Sequence, residues 1–135
     1  MKQFLASLSL LVLTAFNSSA IAQEQIELPS LIGSWEGSLV LGRDNMKLAF
    51  TFTMIEGKYT AALISSGLGI YGMPAESVRV TGLNVTIRIP RLDLEFNGTL
   101  RLDAAGEKIV RIDGDWFQYS EMVPVVLLPV DTPSF

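Results

Sequence analysis

Few side chains in this sequence have the types and spacing to do chemistry. Asp93 with Glu95, and Asp113 with Asp115, stand two residues apart, which on an extended strand puts both members of a pair on one face. Carboxylates so placed could work as acid and base or hold a hard cation. The same positions also read as the solvated face of amphipathic strands, with Arg101 and Arg111 at hand across a hairpin, and this is the reading adopted. The chain has no His and no Cys. That removes the commonest general base, the commonest metal ligands and every Ser–His or Cys–His nucleophile pair. The serine-hydrolase signatures G-x-S-x-G and S-x-x-K are absent as well. The expectation is a non-enzymatic protein with no cofactor and no metal.

Gly67-Leu68-Gly69-Ile70-Tyr71-Gly72 matches G-x-G-x-x-G letter for letter. A dinucleotide fingerprint needs a helix to start at that point, inside a parallel βαβ unit. Pro74 follows at once and a short strand resumes by Ser77, so there is no room for the crossover helix. The match is read as coincidence. The loop is unusual in another way: Leu68, Ile70, Tyr71 and Met73 are apolar and interleaved with glycine, where loops are normally polar. They are expected to fold over one end of the domain as a lid or plug, or to touch a protein partner.

The elements that position these groups read as strands. Residues 92–117 form the clearest hairpin. Leu92, Leu94, Phe96, Gly98, Leu100 and Leu102 fall on one side, while Asp93, Glu95, Asn97, Thr99 and Arg101 fall on the other. Residues 103–107, D-A-A-G-E, supply the turn. Trp35, Gly37, Leu39 and Leu41 alternate with polar neighbours in a first strand, and Leu48, Phe50, Phe52 and Met54 in a second. Residues 59–65, 77–81 and 83–89 give further short strands, and 123–128 the last, where Pro124 implies an exposed edge or a bulge. Residues 66–74 read as one long irregular connection. The pattern predicts an all-β fold of eight antiparallel strands in up-and-down order, closed into a barrel. The expected core is Trp35, Leu39, Phe50, Phe52, Leu63, Val85, Ile87, Leu94, Phe96, Leu100, Ile112 and Trp116. The stretches W-E-G-S-L-V-L from Trp35 and F-N-G-T-L-R-L from Phe96 echo each other, with a glycine expected at a bend or against a bulky neighbour.

Ahead of the barrel, Lys2, an apolar run from Phe4 to Phe16, and Ala20-Ile21-Ala22 read as a secretory signal cut between Ala22 and Gln23. The run is about 13 residues, short of the roughly 20 a spanning helix needs. The expected organisation is a signal peptide at 1–22, a lead-in at 23–32 that tethers or covers a barrel end, a barrel domain at 33–129 and a tail at 130–135. This places the protein in the periplasm or outside the cell. The net charge of −4, without a basic cluster, argues against nucleic acid and anionic membranes as partners.

Gly33-x-Trp35 opening the first strand resembles the entry motif of lipocalins. The set G-S-W-E-G-S-L from Gly33, G-x-x-G-M-P-A-E-S-V from Gly69, F-N-G-T-L from Phe96, and G-D-W-F-Q from Gly114 followed by V-P-V-V-L is similar to a small exported bacterial β-barrel domain. That domain is found alone or fused beside secreted esterase-type α/β-hydrolase or β-lactamase-like domains. The resemblance implies a lipocalin-like (calycin-like) barrel and supplies no catalytic residue. The last strand, V-P-V-V-L-L-P, lacks the basic residue that lipocalins usually set over the entry Trp, a departure from the pattern of lipocalins proper.

Two functions are expected on these grounds. One is binding of a small apolar ligand inside or at the mouth of the barrel, by Trp35, Phe50, Phe52, Met54, Phe96 and Trp116. The other is an accessory module that docks a protein such as a secreted hydrolase through the loop of Leu68, Ile70, Tyr71 and Met73.

Overall fold

The computed structural model describes residues 28–41 and 44–135. The expected signal segment, the first half of the lead-in and the centre of the first turn lie outside the described residues. Nine strands follow in order: β1 (Gly33–Leu41), β2 (Asp44–Ile55), β3 (Lys58–Ser65), β4 (Ile70–Pro74), β5 (Ser77–Thr81), β6 (Asn84–Ile89), β7 (Leu94–Leu102), β8 (Ile109–Gln118) and β9 (Glu121–Val130). They make one antiparallel sheet in the order β4-β3-β2-β1-β9-β8-β7-β6-β5. Sequence neighbours pair throughout except across the β4–β5 link, and β9 returns to pair with β1 at Ser34↔Val130, Trp35↔Pro129 and Glu36↔Leu128. The sheet is curled into a half-barrel.

The expected eight strands and full closure are therefore corrected, and the cause lies at residues 66–74. Ser66–Leu68 form a 3₁₀ turn and Gly69 takes φ +68°, which reverses the chain onto the second half of β3. Ile70–Pro74 then ladders from Ser65↔Ile70 to Ala62↔Pro74, with a register shift absorbed at Gly72, φ +103°. What reads as an irregular loop is a short bulged strand. Beyond it the chain changes sides. The N–H of Ala75 donates to the Ala61 carbonyl at 2.8 Å, and the N–H of Glu76 to the Arg88 carbonyl at 2.9 Å. β5 pairs only with β6, and the first half of β3 has no ladder on the side facing β5. The two strands lie close together there but no ladder joins them among the described residues.

Asp93 is a smaller correction. It does not continue a strand: Pro90–Leu92 form a second 3₁₀ turn, and Asp93 follows at φ +53° with its carboxylate accepting the Tyr119 N–H at 3.2 Å. Pro124 pairs with Asp115 of β8 and lies outside the part of β9 that ladders with β1, so its missing donor falls on a free edge.

Every residue of the expected core is buried, from Leu39, Phe50 and Phe96 at 0% exposure to Trp35 and Leu94 at 4%. Phe50 lies at the centre, with ring centroids 5.5 Å from Phe96, 6.4 Å from Phe52 and 6.4 Å from Trp116. Both glycines of the echo sit against bulk: a Cβ on Gly37 would come 2.5 Å from the Val126 carbonyl, and one on Gly98 2.6 Å from Ile112.

Ser65 is an exception within this apolar interior. It is fully buried, and among the described residues its hydroxyl has no hydrogen-bond partner. An orphaned buried hydroxyl costs about 1–3 kcal/mol of desolvation. Ser65→Ala is expected to raise stability by about 1 kcal/mol in chemical denaturation; a loss of stability would show that the hydroxyl is paired.

Candidate mouth of the half-barrel

The end of the half-barrel where β1 begins is covered by the lead-in. Leu31 is 1% exposed, and Leu28 packs against the core. The indole N–H of Trp35 donates to the Leu31 carbonyl at 2.9 Å, and the Leu31 N–H donates to the Tyr59 hydroxyl at 3.0 Å. Trp35 from β1 and Tyr59 from β3 thus hold one covering segment from two sides, and the Tyr59 ring stands edge-on to Phe52 at 6.4 Å. The cover does not fill the mouth. It leaves a pit of about 300 Å³ lined by Leu28, Pro29, Leu31, Met54, Tyr59, Val80 and Leu100. Its lining is apolar apart from one phenol, so it suits an apolar molecule.

The expected interior residues divide at this point. Phe50, Phe52, Phe96 and Trp116 are buried against one another, and Trp35 is buried under the lead-in. Met54 does not join them. It is 45% exposed and lies on the rim of the pit, because β2 runs on past the core to the two-residue turn at Glu56 and Gly57. Trp116 is fixed by its own polar contact: its indole N–H donates to Gln118 Oε1 at 3.1 Å, and Gln118 Nε2 donates to the Leu92 carbonyl at 2.9 Å. That buried glutamine, which pins the second 3₁₀ turn, was not singled out by its sequence context.

The loop residues divide too. Ile70 and Met73 pack against the core, while Leu68 is 37% and Tyr71 72% exposed. The lid-or-plug expectation suits the first two and fails for Tyr71, which points outward from the bulged strand. The residues missed were Leu28, Leu31, Tyr59 and Val80. The lead-in as a whole was expected to tether or cover a barrel end; the signal for which of its residues do so was the apolar L-P-S-L-I at 28–32, just ahead of the entry Trp.

The carboxylate pairs lie on the outer surface. Asp113 takes the Nε–H of Arg111 at 2.7 Å and that of Arg101 at 2.8 Å. Glu95 faces Arg88 at 3.5 Å and accepts from Asn97 at 2.9 Å. Hydrogen bonds from Arg111 first, and then Arg101, hold the Asp113 carboxyl below the usual carboxylate range. A depressed folded value means that this contribution to stability is present above the unfolded value of about 3.9 and is lost as pH falls through the folded one. Between neutral pH and about pH 2.5, wild type should therefore lose more stability than Asp113→Asn in urea titrations. Equal losses would show that the pair contributes nothing.

No helix among the described residues is long and apolar enough to cross a membrane. None of the protein-family models, curated proteins or solved structures compared with this chain matches it.

Proposed function

We propose that this chain is a non-enzymatic exported module that holds a small apolar molecule at the mouth of its half-barrel. The observation that carries the reading is the apolar pit of about 300 Å³ between the lead-in and Met54, Tyr59, Val80 and Leu100. That volume lies at the lower end of ordinary small-molecule sites. The mouth is favoured over the interior because Phe50, Phe52, Phe96 and Trp116 occupy the interior with one another. Export, through cleavage after Ala22 into the periplasm or medium, and kinship with the lipocalin-like domain found beside secreted hydrolases, belong to the same proposal. Their support is the sequence motifs.

The test is fluorescence titration with the dye 1-anilinonaphthalene-8-sulfonate, together with native mass spectrometry of protein taken from its own cells. Met54→Glu places a carboxylate on the half-exposed rim and should weaken dye binding about tenfold or more, since a seated dye would strip that charge of water and bring its own sulfonate beside it. Tyr71→Asp, which does not line the pit, should leave it unchanged. A clean unliganded mass together with equal dye binding by all three proteins overturns the reading.

A second reading keeps its own observation. Leu68 and Tyr71 present apolar surface to solvent beside Gly69 and Gly72, as a protein-docking strand would. Pull-down of a secreted partner by wild type and by Leu68→Asp/Tyr71→Asp separates the two. Equal recovery rules out this contact.

A further inference from the structure

The outer face of β6, β7 and β8 carries two hollows. One, of about 530 Å³, is lined by Arg88, Asp93, Glu95, Asn97, Phe117 and Met122 among others. The next, of about 360 Å³, is lined by Asn84, Thr86, Asn97, Thr99, Asp113 and Asp115. They meet at Asn97, and neither shares a residue with the pit. Strand pairing sets the outward side chains in rows: Arg88, Glu95, Phe117 and Met122 in one, Thr86, Asn97, Asp115 and Pro124 in the next. From the row of Phe117 to that of Asp113 is about 13 Å along the strands.

The polar groups of this face are held in place by one another. Thr86 Oγ1 donates to Asn97 Oδ1 at 2.9 Å, Asn97 Nδ2 donates to Glu95 Oε2 at 2.9 Å, and Arg88 Nε lies 3.5 Å from Glu95 Oε1. Each keeps capacity to spare: a second amide N–H on Asn97, a lone pair on Thr86, further N–H groups on Arg88. Side chains already ordered cost little more to order on binding. Beside this chain of bonds lie Phe117, 46% exposed, and Met122, 61% exposed.

We propose that this face binds a neutral carbohydrate, with a pyranose ring stacked on Phe117 and its hydroxyls on Glu95, Asn97 and Arg88. The other ligand classes fit worse. So many donors and acceptors do not suit an apolar molecule. A peptide strand finds no backbone edge, because β6, β7 and β8 are each laddered on both sides. A polyanion meets no Lys among the lining residues, while Arg88 faces Glu95 and Arg101 and Arg111 are taken by Asp113. The same pairings leave little free negative charge for a polycation. A sugar hydroxyl both donates and accepts, as this mixed surface requires, and carries no charge. The C–H face of the ring is drawn to the negative face of an aromatic side chain. Two hollows in line take a short run of linked rings. The inference stands independently of any ligand in the pit.

Affinity electrophoresis of the whole chain as cells produce it, in native gels containing hydroxyethylcellulose, xylan, galactomannan, laminarin, soluble starch or dextran, tests this. Dextran sulfate serves as the polyanion control. At least one neutral polymer should retard the wild type. With that polymer, Phe117→Ala and Asn97→Ala should each raise the apparent dissociation constant about tenfold or more. Met54→Glu, on the rim of the pit, should leave it unchanged. Phe117 and Asn97 are both exposed, so the variants should keep the wild-type melting temperature.

The second readout is free of substitutions. On adding a hexasaccharide of the retarding polymer, amide shifts of the wild type in ¹⁵N NMR should concentrate at residues 84–88, 95–99 and 113–117. If either variant melts early, this map decides alone. No retardation by any neutral polymer, or retardation by dextran sulfate only, overturns the proposal. Retardation untouched by both substitutions, or shifts centred elsewhere, overturns it equally.

Discussion

Trp35→Ala is expected to lower stability by about 3–5 kcal/mol in chemical denaturation, the range for deleting a large buried aromatic. The ring is 4% exposed, so nearly all of its apolar surface returns to water or leaves a cavity. Its N–H also holds the Leu31 carbonyl, and Leu31 is itself 1% exposed and tied to Tyr59. Loss of the ring therefore releases the cover as well as emptying the core. Against a total stability of about 5–15 kcal/mol, that leaves a fold near its limit. Trp35→Phe separates the two effects. It keeps most of the apolar contact and removes only the donor, stranding a buried carbonyl at about 1–3 kcal/mol. Because the Leu31 carbonyl then loses its anchor, Trp35→Phe should also weaken dye binding at the pit while Phe50 and Phe96 stay packed. A cost below about 1 kcal/mol for Trp35→Ala would place the ring at the surface, against the geometry.

The core was legible because the period of two is a local property. Along the middle of the strands, where Leu, Phe, Val or Ile alternated with polar residues, the apolar members turned inward, as at Phe50 and Phe52, at Val85 and Ile87, or at Leu94, Phe96 and Leu100, while Leu83 at the turn before β6 keeps that phase and is 43% exposed. Alternation does not say where the core stops along a strand. Met54 keeps the phase of Phe50 and Phe52, yet it pairs with Tyr59 next to the turn and lies at the rim. β4 was illegible for a related reason. Ile70–Pro74 has a broken period because Gly72 absorbs a bulge, and whether it pairs at all depends on the reversal at Gly69 laying it against β3. That is a non-local outcome. The pit follows suit: Leu28, Met54, Tyr59, Val80 and Leu100 come from separate stretches and meet only once the sheet curls. Of its surroundings, Met54 stood out in the sequence as a candidate binding residue, Leu100 as core, the lead-in as a cover, and Trp35 through Gly33-x-Trp35.

The turn between β8 and β9 shows a conflict that pattern alone could not expose. Tyr119 and Ser120 both take positive φ, +53° and +64°, which suits the twist of a two-residue hairpin but is usually supplied by Asn and Gly. Neither residue reads as a turn signal. The pairing on either side, Gln118↔Glu121 and Phe117↔Met122, and the Tyr119 N–H donated to Asp93 hold the backbone there. Tertiary contacts outweigh local preference at this corner.

Gly114→Ala is the second large effect expected. Gly114 lies directly opposite Gly98 in the β7–β8 ladder, so the inner face there carries no side chain between Phe96 and Trp116 on one side and Leu100 and Ile112 on the other. The Phe96 ring occupies that space and reaches Phe50 at 5.5 Å. A Cβ on Gly114 would come 2.5 Å from Phe96 Cζ and 2.7 Å from the Asn97 carbonyl oxygen. Gly114 does not have a positive φ, so alanine meets no backbone strain and the effect is steric alone. Overpacking of a filled core costs about 1–3 kcal/mol. The upper end is expected because one of the two contacts is backbone, which cannot swing aside as a ring can. Phe96→Leu alone should also destabilise, by loss of the ring's packing. Combined with Gly114→Ala it removes the ring that clashes, so the double variant should be more stable than the sum of the two losses by about 0.5–1 kcal/mol or more. Strictly additive losses would mean that the ring and the glycine do not share this space, and a cost under about 0.5 kcal/mol for Gly114→Ala would show that β7 and β8 stand further apart than this register puts them.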